Sequence, residues 1–261
     1  MINQTFEDYY ETQYGSRWPG LRMSLLNKKP PMAYSKGLIK PYFLDEASIF
    51  AAEALDINDT AEENSVLDAC AGPGGKSLVL ASKIYNTSNT QHLFCNELSA
   101  VRRQRLIATL DEHLPADIRE RISVLPFDAA SMCRKKQNRF AAILLDAPCS
   151  SEAHVIASPK DYKRWQPARP KFLAQRQWAL LSSAFLMLQE GGSLVYSTCA
   201  ITSEENDGVA KRLMQKYAEQ CTLEKPVIPS AEENQFGVIL LPDTSGIGPM
   251  YIARFRKKSH A

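Results

Sequence analysis

From Ser65 onward the chain alternates short, continuous apolar runs with longer stretches in which apolar residues return every three or four positions. The runs Ser65–Cys70, His92–Glu97, Ile122–Asp128, Phe140–Asp146 and Ser193–Cys199 read as strands. Between them Lys76–Tyr85, Ala100–His113 and Pro170–Gln189 read as helices, and Thr202–Gln220 reads as a helix after the last strand. A run such as Ala141-Ala142-Ile143-Leu144-Leu145 is apolar on both faces, as a strand covered from both sides must be. The alternation predicts an α/β fold, a doubly wound, mainly parallel sheet. Two further runs, Gly237–Leu241 and Met250–Phe255, have only a Pro/Gly-rich turn between them. Without a crossover helix they are expected to form an antiparallel C-terminal hairpin at one edge of that sheet.

The first 44 residues break this order. Pro19, Pro30, Pro31 and Pro41 interrupt any long helix, which predicts an extended arm with one or two short helices. At Asp45 the pattern changes: Ala47, Ile49, Phe50, Ala51, Ala54 and Leu55 form the apolar face of a short helix, and Asp56–Asn64 is a polar turn. The expected division is therefore an N-terminal arm at 1–44 and one main domain at 45–261.

With 261 residues, 44% hydrophobic and 23% charged, the chain suffices for one substantial core plus an appendage. The six cysteines, at 70, 95, 133, 149, 199 and 221, include no C-x-x-C pair, so neither a metal site nor a disulfide framework is expected. A reducing, cytoplasmic setting follows from that usage. The N-terminus lacks a basic region followed by an apolar run, and no apolar stretch is long enough to span a bilayer, so neither secretion nor a membrane partner is expected.

The net charge of +2 hides an uneven distribution. Between Thr12 and Leu44 stand Arg17, Arg22, Lys28, Lys29, Lys36 and Lys40 with no acid, interleaved with Tyr14, Trp18, Tyr34, Tyr42 and Phe43. Cations for phosphates and aromatic faces for bases suit single-stranded nucleic acid. A solvated arm that packs its aromatics on the domain is the equal alternative. A second cluster places Lys160, Lys163, Arg164, Arg169, Lys171 and Arg176 against the single acid Asp161.

Open α/β sheets bind ligands at the carboxyl ends of their strands, and the chemistry-bearing residues fall there. After the first strand comes the glycine-rich turn Ala71-Gly72-Pro73-Gly74-Gly75-Lys76, where backbone can approach a nucleotide-like cofactor closely. It completes neither a Walker loop, which would need glycine at Cys70, nor a dinucleotide motif, which would need glycine at Ser77. Glu97 ends the second strand, where an acid binds the hydroxyls of a ribose. Asp128 ends the third and is either near an adenine or an ordinary surface carboxylate. Lys76 lies among Asp68, Asp146 and the cofactor turn, which favours an active-site role over a solvated first-turn lysine.

The fourth strand ends in Asp146-Ala147-Pro148-Cys149 and the fifth in Thr198-Cys199, so two thiols and a carboxylate are expected in one crevice. A thiol between a strand end and a helix N-terminus is placed to ionise, which makes Cys199 the lead nucleophile. Cys70, Cys95, Cys133 and Cys221 are assigned to packing. Thr202 and Glu205 form a capping-box pattern, so the acids of Thr202-Ser203-Glu204-Glu205-Asn206 are read as helix capping first, with Asn206 helping the site.

Four ordered motifs, Asp68-Ala-Cys-Ala-Gly-Pro-Gly-Gly-Lys-Ser77, Asn96-Glu-Leu-Ser-Ala-Val-Arg102, Asp146-Ala-Pro-Cys-Ser150 and Tyr196-Ser-Thr-Cys-Ala-Ile-x-x-Glu-Glu-Asn206, resemble the Nop/Sun family of RNA cytosine-5 methyltransferases. The resemblance runs from about Tyr42 to the C-terminus and is closest to the compact branch without a separate RNA-binding domain. It implies a Rossmann-like methyltransferase domain at 45–261 that uses S-adenosyl-L-methionine. By that resemblance Ala71–Lys76 hold the methionine and ribose part of the cofactor, Glu97 the ribose hydroxyls, Arg102 a supporting contact and Asp128 the adenine side, with Asp146 beside both cofactor and base. Cys199 matches the nucleophile, and Cys149 the residue that assists product release.

Two thiols also have a chemical reason. C5 of cytosine is a poor nucleophile until a thiolate adds at C6 while an acid such as Asp146 protonates N3. The adduct must then lose its C5 proton and expel the sulfur, and a second thiol beside the first suits that step. The expected substrate is RNA, ribosomal ahead of transfer RNA, with the arm, the 160–176 cluster or a protein partner supplying targeting. The alternative is a non-catalytic RNA-binding or ribosome-assembly factor that keeps the fold, and DNA methylation is a weaker third. Three positions depart from the family pattern: Gly72 for a second alanine, Ala200 for serine, and Ser151-Glu152-Ala153-His154 for a glycine-containing turn.

Overall fold

A computed structural model describes residues 4–27, 29–57, 65–85 and 91–259. Two helices open the chain, α1 (Phe6–Tyr14) and α2 (Trp18–Leu26). Thr5 caps α1 in a reciprocal pair with Asp8, and Pro19 lies in the first turn of α2, where its missing N–H costs nothing. A small hairpin of β1 (Met32–Tyr34) and β2 (Tyr42–Leu44) leads to α3 (Glu46–Glu53), capped by Asp45. The polar turn expected at 56–64 falls, from residue 58 on, outside the described residues.

The apolar runs then form the parallel strands β3 (Ser65–Asp68), β4 (His92–Asn96), β5 (Ile122–Leu125), β6 (Phe140–Asp146) and β7 (Leu188–Thr198). Helices α4 (Gly75–Tyr85) and α5 (Ala100–His113) provide the first two crossovers, with the short α6 (Ala116–Arg119) completing the second. Between β6 and β7 come α7 (Glu152–Ala157), α8 (Pro159–Arg164) and the long α9 (Ala168–Met187). After β7 come α10 (Asp207–Lys216), β8 (Cys221–Glu224), β9 (Glu232–Glu233), β10 (Val238–Leu240) and β11 (Met250–Lys257).

The sheet order is β5-β4-β3-β6-β7-β11-β10-β9, with β8 also paired to β11. The hairpin is antiparallel, as its short connection requires, and β11 lies against β7 with Tyr251 opposite Thr198. Successive residues of β6 face opposite layers: Leu144 packs with α3, α4 and α5, whereas Leu145 packs with α1, α2, α9 and α10. The order reverses between β3 and β6, which opens a crevice at their carboxyl ends.

Two expectations are corrected. The N-terminal segment forms two short helices, as expected, but it is packed rather than extended, the alternative in which its aromatics cover the domain, because Phe6, Tyr10, Trp18, Leu21 and Leu25 are buried in the main core. Tyr10 and Trp18 stack with centroids 5.0 Å apart, and Tyr34 is buried in the other layer. Large aromatic surfaces gain more from this burial than from water, and of the five aromatics named in the basic stretch only Phe43 is strongly exposed, at 66%. Three of its cations also find acids: Arg17 pairs with Glu232 and Asp243 and Lys40 with Glu112, both from distant segments, and Arg22 with Glu7 of α1. Lys28 lies outside the described residues.

The second correction concerns the start of α10, at Asp207 rather than Thr202. Glu205 N does donate to Thr202 Oγ1 at 3.3 Å, but this closes a turn before the helix. Glu205 Oε1 accepts from Thr202 Oγ1 at 3.3 Å within that turn, and Oε2 faces the β6 loop.

Candidate active site

Strand pairing brings the candidate residues together. Asp146 pairs with Ser197 across β6 and β7, so the turns that follow, Pro148-Cys149 and Thr198-Cys199, emerge side by side. Cys149 Sγ and Cys199 Sγ are 2.9 Å apart as free thiols, and Ser151 Oγ lies 3.5 and 3.3 Å from them respectively. The hydrogen bond from Cys149, then that from Ser151, holds Cys199 below the ordinary thiol range against burial and the Asp146 and Glu152 charges. The same thiol–thiol bond and burial push Cys149 well above that range. The pair is therefore polarised, with the negative charge favoured on Cys199.

Lys76, in the first turn of α4, donates to Asp146 Oδ2 at 2.8 Å and to Ser48 at 3.2 Å. Burial opposes the Lys76 charge, but attraction to Asp146 outweighs it and raises the lysine pKa. Ser197 donates to the other Asp146 oxygen at 3.0 Å. Asp68, at the end of β3, is fully buried; Ser77 donates to Oδ2 at 2.7 Å, while Oδ1 has no hydrogen-bond partner among the described residues.

Two cavities meet at the glycine-rich turn. The first, about 190 Å³, is lined by Ser48, Asp68, Cys70–Gly72, Lys76 and Asp146, with Tyr42 and Phe43 at its edge. The second, about 410 Å³, is lined by Cys70, Glu97, Leu98, Arg102, Phe127, Asp128 and Arg176, among others. Cys70, which sequence reasoning assigned to packing, thus lines both.

Glu97 is buried and accepts from Gly72 N at 3.2 Å and Ser99 N at 2.8 Å, with Arg102 Nε 3.4 Å away. A β-carbon at position 72 would lie 2.5 Å from Glu97 Oε2, which accounts for glycine there instead of alanine. Arg102 also donates to Gly72 O at 2.7 Å, and Asp128 pairs with Arg176 at 2.5 Å. Gly74 adopts φ 117°, a conformation that favours glycine. Pro73 stays exposed beside it.

Several residues shape the site in ways that sequence reasoning gives only in part: it names Asn206 as helping the site, reads Glu205 as a cap, and gives Asn96 and Glu152 no role. Asn96 ties three strand ends together through Ala69 O, Phe127 O and Phe127 N at 3.0, 2.9 and 2.9 Å. Glu205 accepts from Ser150 N at 2.9 Å and Gln177 Nε2 at 2.7 Å, so it anchors the Cys149 loop rather than capping α10. Its buried carboxyl is pushed up to about 7, first by burial and then by Glu152. Glu152 is fully buried and accepts from Tyr10 Oη at 2.7 Å, from Ser150 Oγ and from Ile201 N at 3.2 Å. Asn206 bonds Thr198 Oγ1 at 2.6 Å and Ala200 O at 2.9 Å, clamping the backbone on both sides of Cys199. Asn96, Glu205 and Asn206 stand in the four ordered motifs, and Glu152 in the Ser151–His154 departure from the family turn.

The doubly wound α/β fold that holds this thiol pair and glycine-rich crevice has relatives among solved structures. NSun6 from Pyrococcus horikoshii, solved with SFG, is 24% identical with a TM-score of 0.70, covering 87% of this chain and 55% of that one. A methyltransferase homologue from the same organism is 20% identical with a TM-score of 0.70, covering 96% and 93%. At these identities the likeness establishes the fold. The family described as 16S rRNA methyltransferase RsmB/F matches residues 55–256, and the chain belongs to it.

Among curated relatives, the mitochondrial tRNA (cytosine(34)-C(5))-methyltransferase of Danio rerio is 31% identical over 242 residues, 87% of this chain and 64% of the relative. The 5-cytosine rRNA methyltransferase NSUN4 of Xenopus laevis is 30% identical over 236 residues, 84% and 56%. The ribosomal RNA small subunit methyltransferase F of Escherichia fergusonii is 35% identical over 176 residues, 67% and 35%. The chain spans less than two thirds of the length of each of these relatives.

Proposed function

We propose that this chain transfers a methyl group from S-adenosyl-L-methionine to C5 of a cytosine in RNA, through a covalent bond between Cys199 and C6. The observation that carries the reading is the 2.9 Å thiol pair beside the Lys76–Asp146 bond at the switch point. Ribosomal RNA is favoured by the family description, and transfer RNA is the alternative suggested by the zebrafish relative.

The crevice suits the cofactor. The unpartnered Asp68 Oδ1 and the Gly72 position, which a β-carbon would crowd against Glu97, fit a ligand with a positively charged amino group and a ribose. Ala71, Gly72, Pro73, Gly74, Gly75 and Lys76 would hold its methionine and ribose part, Glu97 and Arg102 the ribose, Asp128 the adenine side and Asp146 the end nearest the base. When bound, the cofactor supplies a methyl group on a cationic sulfur.

In this reading the Cys199 thiolate adds to C6 while Asp146, held by Lys76 and Ser197, keeps a proton at N3. After C5 has been methylated, Cys149, its own proton released to solvent, takes the C5 proton, and the electrons of that C–H bond restore the C5–C6 double bond and expel Cys199 as a thiolate. The RNA contacts are assigned to the exposed cations of Lys160–Lys171 and to Phe172, 70% exposed among them. Free thiols at all six cysteines agree with a reducing, cytoplasmic setting, and among the described residues no helix is long and apolar enough to cross a membrane.

The test is methyl incorporation into RNA with bisulfite mapping. Cys199→Ala should abolish transfer, and Cys149→Ala should accumulate a covalent protein–RNA adduct. Full turnover by Cys199→Ala would sink the assignment.

A further inference from the structure

We propose that Ser151 is a further catalytic residue, its hydroxyl donating a hydrogen bond to the Cys199 sulfur whenever that sulfur carries negative charge. The proposal rests on the reading of Cys199 as the nucleophile and adds a group to that site. Ser151 Oγ is 3.3 Å from Cys199 Sγ and 3.5 Å from Cys149 Sγ, so it touches both reacting sulfurs.

The backbone gives no reason for serine here. Ser151 stands at φ 53°, ψ 57°, the left-handed region, which costs a residue with a β-carbon about 1 kcal/mol and costs glycine nothing. Nor does the following helix use the side chain. A serine just before a helix ordinarily turns its hydroxyl onto an amide of the first turn, but Ser151 makes no such bond to α7. Its hydroxyl lies within hydrogen-bond reach of both thiols and can also donate to the Cys149 carbonyl at 3.5 Å, a longer contact than the 3.3 Å to Cys199 Sγ. A strained residue whose side chain does not cap the helix it precedes, but lies against two thiols, points to the chemistry of that side chain.

The loop holds the hydroxyl in place from both sides. Before it, Ser150 N donates to Glu205 at 2.9 Å, and Ser150 Oγ donates to Glu152. After it, the buried Glu152 accepts from Tyr10 at 2.7 Å and from Ile201 N at 3.2 Å, which fastens the Ser151 loop to the Cys199 loop.

Charge explains why a neutral donor is useful. Around the thiols stand Asp146 from the end of β6, Glu152 from α7, Cys149 from the intervening loop and Lys76 from α4. The carboxylates disfavour a thiolate, and the Lys76 ammonium is already bonded to Asp146. A hydroxyl has one proton to give and adds no charge. It supports the thiolate before addition and again when Cys199 leaves C6. The Ser151 proton stays on its oxygen throughout.

The experiment compares the full chain with Ser151→Gly and Ser151→Ala by following iodoacetamide alkylation of the Cys199 peptide against pH, together with single-turnover methyl transfer. Both variants lose the hydroxyl, but glycine relieves the backbone and alanine does not. The expected result is an alkylation midpoint raised by about one pH unit in both, the scale of one hydrogen bond to a charged group, with roughly tenfold slower transfer. An unchanged midpoint, or a shift in only one variant, would overturn the proposal. Alkylation needs neither RNA nor cofactor, so a chain without methyl transfer would count against the proposed function and leave this readout intact.

Discussion

Lys76 Nζ lies 2.8 Å from Asp146 Oδ2, a bond that joins the first turn of α4 to the end of β6 across the switch point of the sheet. It fixes the carboxylate beside the thiol pair and leaves the other oxygen to Ser197. Lys76→Met should therefore lower single-turnover methyl transfer by roughly a hundredfold, within the usual range for a misplaced acid. Rapid-quench kinetics would check this, and a rate within twofold of the parent would exclude a positioning role for the lysine.

Asp68 gives a pH prediction. Burial, foremost, pushes its pKa from 3.8 up to about 7, against the Ser77 hydroxyl, the Lys76 charge and the Cys70 amide. A carboxyl with a raised folded-state pKa binds more protons folded than unfolded, so its stabilising contribution is present at low pH and lost as pH rises through the folded value. Asp68→Asn should remove that loss. Its Tm relative to the parent should increase between about pH 4 and pH 7 and level off above, as thermal melts across that window would read.

Tyr10 reaches Glu152 from 142 residues away with a 2.7 Å bond between buried groups. Tyr10→Phe removes a donor from a buried carboxyl and should cost roughly 2 kcal/mol by denaturant unfolding. Glu152→Gln on the Tyr10→Phe background should add less than it does alone, because the two share one interaction. Strict additivity would mean that the contact contributes nothing of its own.

Gly192 lies where β7 passes β6, and a β-carbon there would stand 2.7 Å from Ala141 O and 2.9 Å from Gln189 O. Backbone carbonyls inside a sheet cannot move aside. Gly192→Ala should destabilise the chain by roughly 2 kcal/mol, about 5 °C in Tm, measurable by calorimetry.

The strands and crossover helices were legible because their signal is local: continuous apolar runs mark strands covered on both faces, and three-to-four spacing marks helices. The convergence of Asp146, Cys149 and Cys199 followed from strand-end position, since neighbouring parallel strands must deliver their following turns to one crevice. Residue types and spacings along the chain carry that information without any knowledge of packing.

What only the tertiary structure decided depends on which distant groups meet. The basic stretch has no acids of its own, yet Arg17 finds Glu232 and Asp243 once β9 and the turn after β10 come past it. Glu205 fits a capping pattern in sequence and keeps one oxygen on Thr202, but the pattern closes a turn before the helix, and the Ser150 amide and Gln177, from the β6 loop and α9, take its other oxygen. Trp18 looks like a stacking surface for a base until Tyr10 covers it. In each case a local pattern offers two uses for a side chain, and burial against a partner remote in sequence selects one, because an unpaired buried charge or an exposed aromatic face costs more than the contact that removes it.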